Sequence, residues 1–141
     1  MQTIIYKPEE EQELMALLWS DALKDNPLAF VMYVFPWGVK GTPLEHFPGP
    51  RKWQREVLQD ITNQIAINNA KPLNQQTKQI DFETLRLAVS SGRGIGKSAL
   101  VSWLVIWMLS TRIGSTTIIS ANSENQLRSI TWAEITKWLA M

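Results

Sequence analysis

The stretch Ser91-Gly92-Arg93-Gly94-Ile95-Gly96-Lys97-Ser98 lies between two apolar runs, one at 85–89 and one from Ala99 onward. The first run has the length and composition of a strand, and the second has those of a buried helix. A glycine-rich turn that joins a strand to a helix and ends in Gly-Lys-Ser is typical of a loop that binds nucleotide phosphates. Its successive backbone N–H groups, at the positive end of the helix dipole, form a concave site for an anion. The sequence therefore predicts a phosphate-binding loop at 91–98.

The polar residues of this loop have predicted roles. Lys97 brings a positive charge to the β- and γ-phosphates, and the hydroxyl of Ser98 can ligate Mg²⁺. The usual motif has glycine where this chain has Ser91, but Gly92 and Gly94 keep the turn flexible. The alternative is a glycine-rich turn that joins a strand and a helix by chance. The predicted nucleotide-binding residues of the loop are Ser91, Gly92, Arg93, Gly94, Ile95, Gly96, Lys97 and Ser98.

Composition limits the class of protein. The chain has 141 residues, 45% hydrophobic and 19% charged, so it can bury the core of one ordinary domain. The net charge of +1 gives no strong indication of nucleic-acid binding, although it does not exclude a local basic patch. The absence of cysteine excludes disulfides, a thiol nucleophile and a thiolate metal site. The single histidine, His46, is insufficient for a histidine-based metal site.

The sequence shows neither an export signal nor a membrane span. The short N-terminal stretch is followed by acidic residues, which is unlike a signal peptide. The longest apolar run, at 99–109, is interrupted by Ser102 and is too short to cross a bilayer. We therefore expect a cytoplasmic protein that does not bind a membrane.

The pattern along the chain predicts an α/β fold. One helix begins at Pro8 and ends near 25–27, a second spans about 51–68, and a third spans 97–112. The β-branched residues at 116–119 predict a strand, and Ser123, with Asn122 as an alternative, can cap a last helix. Together with the strand before the loop, this order of strand, helix, strand and helix predicts a parallel sheet with right-handed crossovers.

The predicted sheet is incomplete. Two parallel strands are too few for a stable sheet. No apolar run ends in the Asp-Glu pair with which P-loop ATPases hold Mg²⁺ and activate water. We therefore expect this chain to be the front part of a longer protein, or another chain to complete the sheet. The predicted division is an N-terminal helical and loop region at 1–50 and the first part of a P-loop domain at 51–141.

Four stretches of the chain are similar to a known family. They are Phe35-Pro36-Trp37-Gly38 with Gly41-Thr42-Pro43-Leu44-Glu45, Gly49-Pro50-Arg51-Lys52-Trp53-Gln54-Arg55, Ser90-Ser91-Gly92-Arg93-Gly94-Ile95-Gly96-Lys97-Ser98-Ala99-Leu100, and Ser120-Ala121-Asn122-Ser123-Glu124-Asn125-Gln126-Leu127-Arg128. In this order they resemble the N-terminal part of the large subunit of tailed-phage terminases, the ATP-driven motors that package DNA. The third stretch is the most specific, because terminases often carry a deviant P-loop that contains an arginine.

The resemblance implies a P-loop ATPase of the ASCE type that uses ATP and Mg²⁺, joined in the whole subunit to a nuclease domain that this sequence does not show. It implies that Lys97 and Arg93 are catalytic, with Arg93 acting on the γ-phosphate as a finger from the same chain. It also implies that Trp53 and Gln54 contact adenine, whose N6 and N7 edge suits the donor and acceptor of an amide. Double-stranded DNA, the small terminase subunit and the portal are the implied partners, and assembly into a homo-oligomer is left open.

Other interpretations of the same residues remain open. A helicase-like, nucleic-acid-dependent ATPase can also combine a P-loop with an upstream glutamine that reads adenine. A truncated prophage remnant binds nucleotide without hydrolysing it, and we expect turnover near background from this chain alone because the acidic strand is missing. Arg93 can also be a solvated loop residue, Gln54 a plain residue of a helix surface, and Trp53 a core residue.

Overall fold

A computed structural model describes residues 7–73, 75–76, 83–90 and 96–141 of the chain. The regular structure within these ranges is helical. The helices are α1 (Pro8–Leu18), α2 (Asp21–Lys24), α3 (Pro27–Val34), α4 (Lys52–Asn69), α5 (Lys97–Thr111), α6 (Glu124–Gln126), a π-helical segment (Leu127–Trp132) and α7 (Ala133–Leu139). None of the helices in the described ranges combines the length and hydrophobicity that crossing a bilayer requires.

The predicted α/β fold with a parallel sheet is wrong for the described residues, which form helices and no strand. The two predicted strands, at 85–89 and 116–119, have no regular structure. Their apolar side chains remain in contact with solvent, and Ile118 is 89% exposed. The physical reason is that a strand satisfies its backbone N–H and C=O groups by pairing with another strand. Within the described part of the chain, neither segment has such a partner.

The predicted helices are confirmed in position, except that the first ends at Leu18 instead of near 25–27, and α2 follows it as a separate helix. α4 covers the amphipathic pattern at 51–68, and α5 covers the apolar run at 97–112. Ser123 caps α6 as predicted, because its Oγ accepts a hydrogen bond from a backbone N–H of the first turn. The apolar run at 28–35 is too short for periodicity to distinguish helix from strand, and it folds as α3. The division of the chain at residue 50 remains a prediction.

α5 lies at the centre of the hydrophobic core. It packs against α3 and α7, and Trp103 from its middle is buried. Four aromatic side chains form one cluster here, and the distances between their ring centroids run from 4.9 to 6.5 Å. They are Phe35, Trp37, Trp103 and Trp138. Most of these contacts are edge-to-face, the arrangement that ring quadrupoles favour. The cluster therefore fixes α7 against α5.

The C-terminal end of α5 is held by the end of α2. Arg112 donates a hydrogen bond of 2.8 Å to the carbonyl oxygen of Lys24 and pairs with the carboxylate of Asp25 at 3.3 Å. Its guanidinium also lies 4.5 Å from the ring centroid of Trp107. Burial lowers the pKa of Arg112 from its usual value, and the charge of Asp25 opposes that shift. α5 is thus anchored at its C-terminal end, and its N-terminal end begins from Gly96.

Candidate phosphate-binding site

Gly96 is the residue at which α5 begins, and its backbone has a left-handed φ of 92°. Its carbonyl oxygen accepts a first-turn hydrogen bond of 3.1 Å from the N–H of Leu100. A β-carbon built at this position lies 2.5 Å from Nε2 of Gln54, a distance at which the neighbouring atoms must shift. Glycine is therefore required here both for the backbone conformation and for the space it leaves.

Gln54 connects the start of α4 to the start of α5, and it is only 3% exposed. Its Nε2 donates a hydrogen bond of 2.9 Å to the carbonyl oxygen of Gly96. Its Oε1 accepts one of 2.8 Å from the N–H of Arg51, which satisfies a backbone donor at the beginning of α4. The interpretation of Gln54 as a plain helix-surface residue is therefore wrong.

The N-terminus of α5 borders a cleft of about 880 Å³, which we call the larger cleft. Gly96, Lys97 and Ser98, three of the predicted site residues, lie together on one wall of it. The facing wall comes from α6, the π-helical segment and α7. The other lining residues are Arg51, Ala99, Asn125, Gln126, Ser129, Ile130 and Glu134. A cleft of this volume is large enough for a cofactor-sized ligand.

The facing wall carries polar side chains on an irregular helix. Asn125, Gln126 and Ser129 line the cleft at the junction of α6 and the π-helical segment. The hydroxyl of Ser129 donates a hydrogen bond to the carbonyl oxygen of Asn125. Short π-helical segments inside α-helices are rare and frequently occur at functional sites. The wider turn changes which side chains this wall presents to the α5 terminus.

A second cleft, of about 300 Å³, adjoins the first, and we call it the smaller cleft. The two clefts share the lining residues Arg51, Gly96, Ala99 and Glu134. Aromatic and apolar side chains dominate the rest of its lining, which consists of Trp37, Pro43, Leu44, Phe47, Gln54, Trp103, Lys137, Trp138 and Met141. A polar cleft at a helix terminus therefore continues into an aromatic one.

The remaining predicted site residues are placed differently or are not described. Ser91, Gly92, Arg93, Gly94 and Ile95 lie outside the described residues. Trp53 is partly buried and packs against the hydrophobic core, as the core interpretation predicted. Gln54 lines the smaller cleft. The roles of Trp53 and Gln54 toward adenine remain predictions.

Glu134 is a site residue that the sequence did not reveal. It lies on α7 and lines both clefts. Its Oε1 accepts a hydrogen bond of 2.8 Å from Nε1 of Trp138, and Nζ of Lys137 lies 3.6 Å from the same oxygen. The four-residue spacing between Glu134 and Trp138 indicates that they share a helix face. It does not indicate that this face meets the start of α5, because that depends on tertiary packing.

The donor groups at the start of α5 suit a Mg²⁺–triphosphate complex. Mg²⁺ is commonly held by one or two protein oxygens together with phosphate oxygens and water. The hydroxyl of Ser98 can supply such an oxygen, and Lys97 can offset phosphate charge. Within the described ranges, no three His, Cys, Asp or Glu side chains are grouped to hold a metal ion without phosphate. The role of Ser98 toward Mg²⁺ remains a prediction.

No model of a known protein family, no curated protein and no solved structure matches this chain.

Proposed function

We propose that the chain binds ATP with Mg²⁺, as the ATP-binding part of a terminase large subunit that packages double-stranded viral DNA into procapsids. The observation that carries the proposal is the position of Gly96, Lys97 and Ser98 at the start of α5, on the wall of the larger cleft. A helix start offers backbone N–H groups that lack partners within the helix, together with the positive end of its dipole. Both favour phosphate oxygens. The four stretches of sequence similarity support the choice of family.

In this proposal the triphosphate occupies the larger cleft. Lys97 supplies a cation for charge-assisted hydrogen bonds with the β- and γ-phosphates. The hydroxyl of Ser98 would hold Mg²⁺, and the ion would supply positive charge beside the γ-phosphoryl group. Arg93 acts as the finger toward the same group, as the resemblance to terminases implies. In the complete subunit, hydrolysis would depend mainly on groups that position the γ-phosphate and stabilise its charge. The protein forms no covalent bond to the phosphate in such a reaction.

In the same proposal, the adenine base of ATP occupies the smaller cleft. Trp37 and Phe47 offer aromatic surface for a planar ring, and Phe47 is 52% exposed. Gln54 lies at the same cleft. Its bonds to Gly96 and Arg51 use one hydrogen and one lone pair of an amide that has two of each. This arrangement supports adenine as the base that Gln54 reads.

The wider role follows from the resemblance. Double-stranded DNA, the small subunit and the portal are the proposed partners, and the proposed location is the cytoplasm of the host cell. A packaging motor is distinguished from a helicase-like ATPase by what stimulates it. We expect ATP hydrolysis by the complete subunit to increase with portal and small subunit, without unwinding of a duplex. Unwinding in the absence of these partners contradicts the assignment.

Calorimetric titration of ATP into the chain tests the binding step. We expect saturable binding that is stronger with Mg²⁺ than without it, because the metal offsets the charge of the triphosphate. Inorganic phosphate is the control for simple attraction between anion and cation, and it should bind far more weakly. Absence of ATP binding at millimolar nucleotide contradicts the proposal.

A further inference from the structure

The two clefts share part of their lining, and Glu134 is the one carboxylate among the described residues that line both. If ATP binds as proposed above, its phosphates lie in the larger cleft and its base in the smaller one. The ribose then lies where the two clefts join, beside the residues that line both. This inference rests on that proposed function and concerns the part of the nucleotide to which no residue has yet been assigned.

The carboxylate of Glu134 is held in place from one side. Its Oε1 accepts the indole hydrogen bond of Trp138 and lies near Lys137. Trp138 is itself fixed, because its ring centroid lies 4.9 Å from that of Phe35 and 5.1 Å from that of Trp103. The other oxygen, Oε2, has no hydrogen bond with the described residues. A preorganised acceptor costs little entropy when a ligand binds.

The chemistry of a carboxylate decides which part of a nucleotide it can contact. An ionised carboxylate only accepts hydrogen bonds, so it repels phosphate oxygens and cannot pair with them directly. The 2′- and 3′-hydroxyls of ribose are donors, and O–H···O⁻ bonds are short and strong. Lys137, on the same side, keeps a positive charge near Oε1 and leaves Oε2 to face the ligand. We propose that Glu134 binds the ribose hydroxyls and that the site thereby selects ATP over analogues that lack one of these hydroxyls.

The test compares binding of ATP, 2′-deoxy-ATP and 3′-deoxy-ATP to the 141-residue chain. Loss of a hydrogen bond to a charged group should weaken binding of at least one deoxy analogue by about 10- to 100-fold. Glu134→Gln removes the charge and keeps the shape of the side chain. In this variant the ratio of the dissociation constants for the deoxy analogue and ATP should fall to within about threefold of one, since an amide makes a weaker acceptor. Glu56→Gln is the matched control, because Glu56 lies on the exposed face of α4 and pairs only with Lys52 in the described structure. It should keep the wild-type ratio.

The outcomes separate this inference from the function on which it rests. If ATP does not bind, or binds independently of Lys97, the proposed function fails. If ATP binds through Lys97 but the wild-type chain binds all three nucleotides equally, the function stands and the role of Glu134 is wrong. The same holds if Glu134→Gln keeps the wild-type ratio. Circular dichroism checks that Glu134→Gln folds. If it does not fold, Glu134→Asp is used in its place, because it keeps the charge but retracts it by one methylene. In Glu134→Asp the ratio of the dissociation constants for the deoxy analogue and ATP should also fall, and an unchanged ratio contradicts the inference.

Discussion

Nε2 of Gln54 donates a hydrogen bond of 2.9 Å to the carbonyl oxygen of Gly96, a residue 42 positions later in the chain. This bond joins the first turn of α4 to the residue from which α5 begins. The same glutamine also lines the smaller cleft. One buried side chain thus connects the proposed base site to the proposed phosphate site.

Replacement of Gly96 by alanine should be more damaging than replacement of another glycine with the same backbone conformation. Gly96 and Gly114 both have left-handed φ, which costs about 1–2 kcal/mol for an alanine. Only at Gly96 does the new β-carbon collide, with Nε2 of Gln54. We expect Gly96→Ala to reduce the free energy of unfolding by about 1–3 kcal/mol more than Gly114→Ala, in line with other overpacked sites. Urea denaturation of both variants measures this difference, and equal losses contradict the contact.

Gln54→Ala should reduce the preference for ATP over GTP. If the amide reads the adenine edge, its loss reduces that preference by at most about 1–3 kcal/mol, as for other bidentate base contacts. If Gln54 only holds Gly96 in place, affinity for both nucleotides should fall by the same factor. Parallel titrations with ATP and GTP distinguish the two results. An unchanged ratio of affinities restricts Gln54 to a structural role.

Arg112→Ala should destabilise the chain without weakening ATP binding. Arg112 donates to a backbone carbonyl and pairs with Asp25, and loss of such charged hydrogen bonds costs about 1–3 kcal/mol. It follows the last residue of a 15-residue helix, about 22 Å from the proposed phosphate site. Arg128→Ala is the control, since the pair of Arg128 with Glu124 is exposed and should contribute less than about 1 kcal/mol. Equal thermal stability of the two variants, or a large loss of ATP affinity in Arg112→Ala, contradicts this prediction.

The helices were predictable from the sequence because their signals are local. α4 and α5 follow from apolar residues at helical spacing and from a near-continuous apolar run, each within one residue of the predicted ends. The segments at 85–89 and 116–119 have the composition of strands, but strand formation requires a partner that composition does not supply. The fold class was therefore wrong for the described residues, although the positions of the helices were right.

The candidate site was likewise predictable only where its residues are close together in the sequence. Gly96, Lys97 and Ser98 were predicted because the motif and the helix that follows are contiguous in sequence. Glu134 was not, because it reaches the cleft only through the packing of α7 on α5 by way of Trp138. The π-helical segment before α7 also breaks the regular spacing from which a helix face is predicted.

The affinity of Lys97→Ala for ATP tests the central claim most directly. The change removes the ammonium group and leaves Gly96, from which α5 begins, in place. Lys52→Ala is the matched control, because Lys52 also lies in the first turn of a helix but is exposed beside Glu56. We predict that calorimetry shows ATP affinity reduced at least about tenfold in Lys97→Ala and unchanged in Lys52→Ala, since a charged hydrogen bond is worth about 1.5–3 kcal/mol. Equal ATP affinity in the wild-type chain and Lys97→Ala would contradict the assignment of a phosphate site at the start of α5.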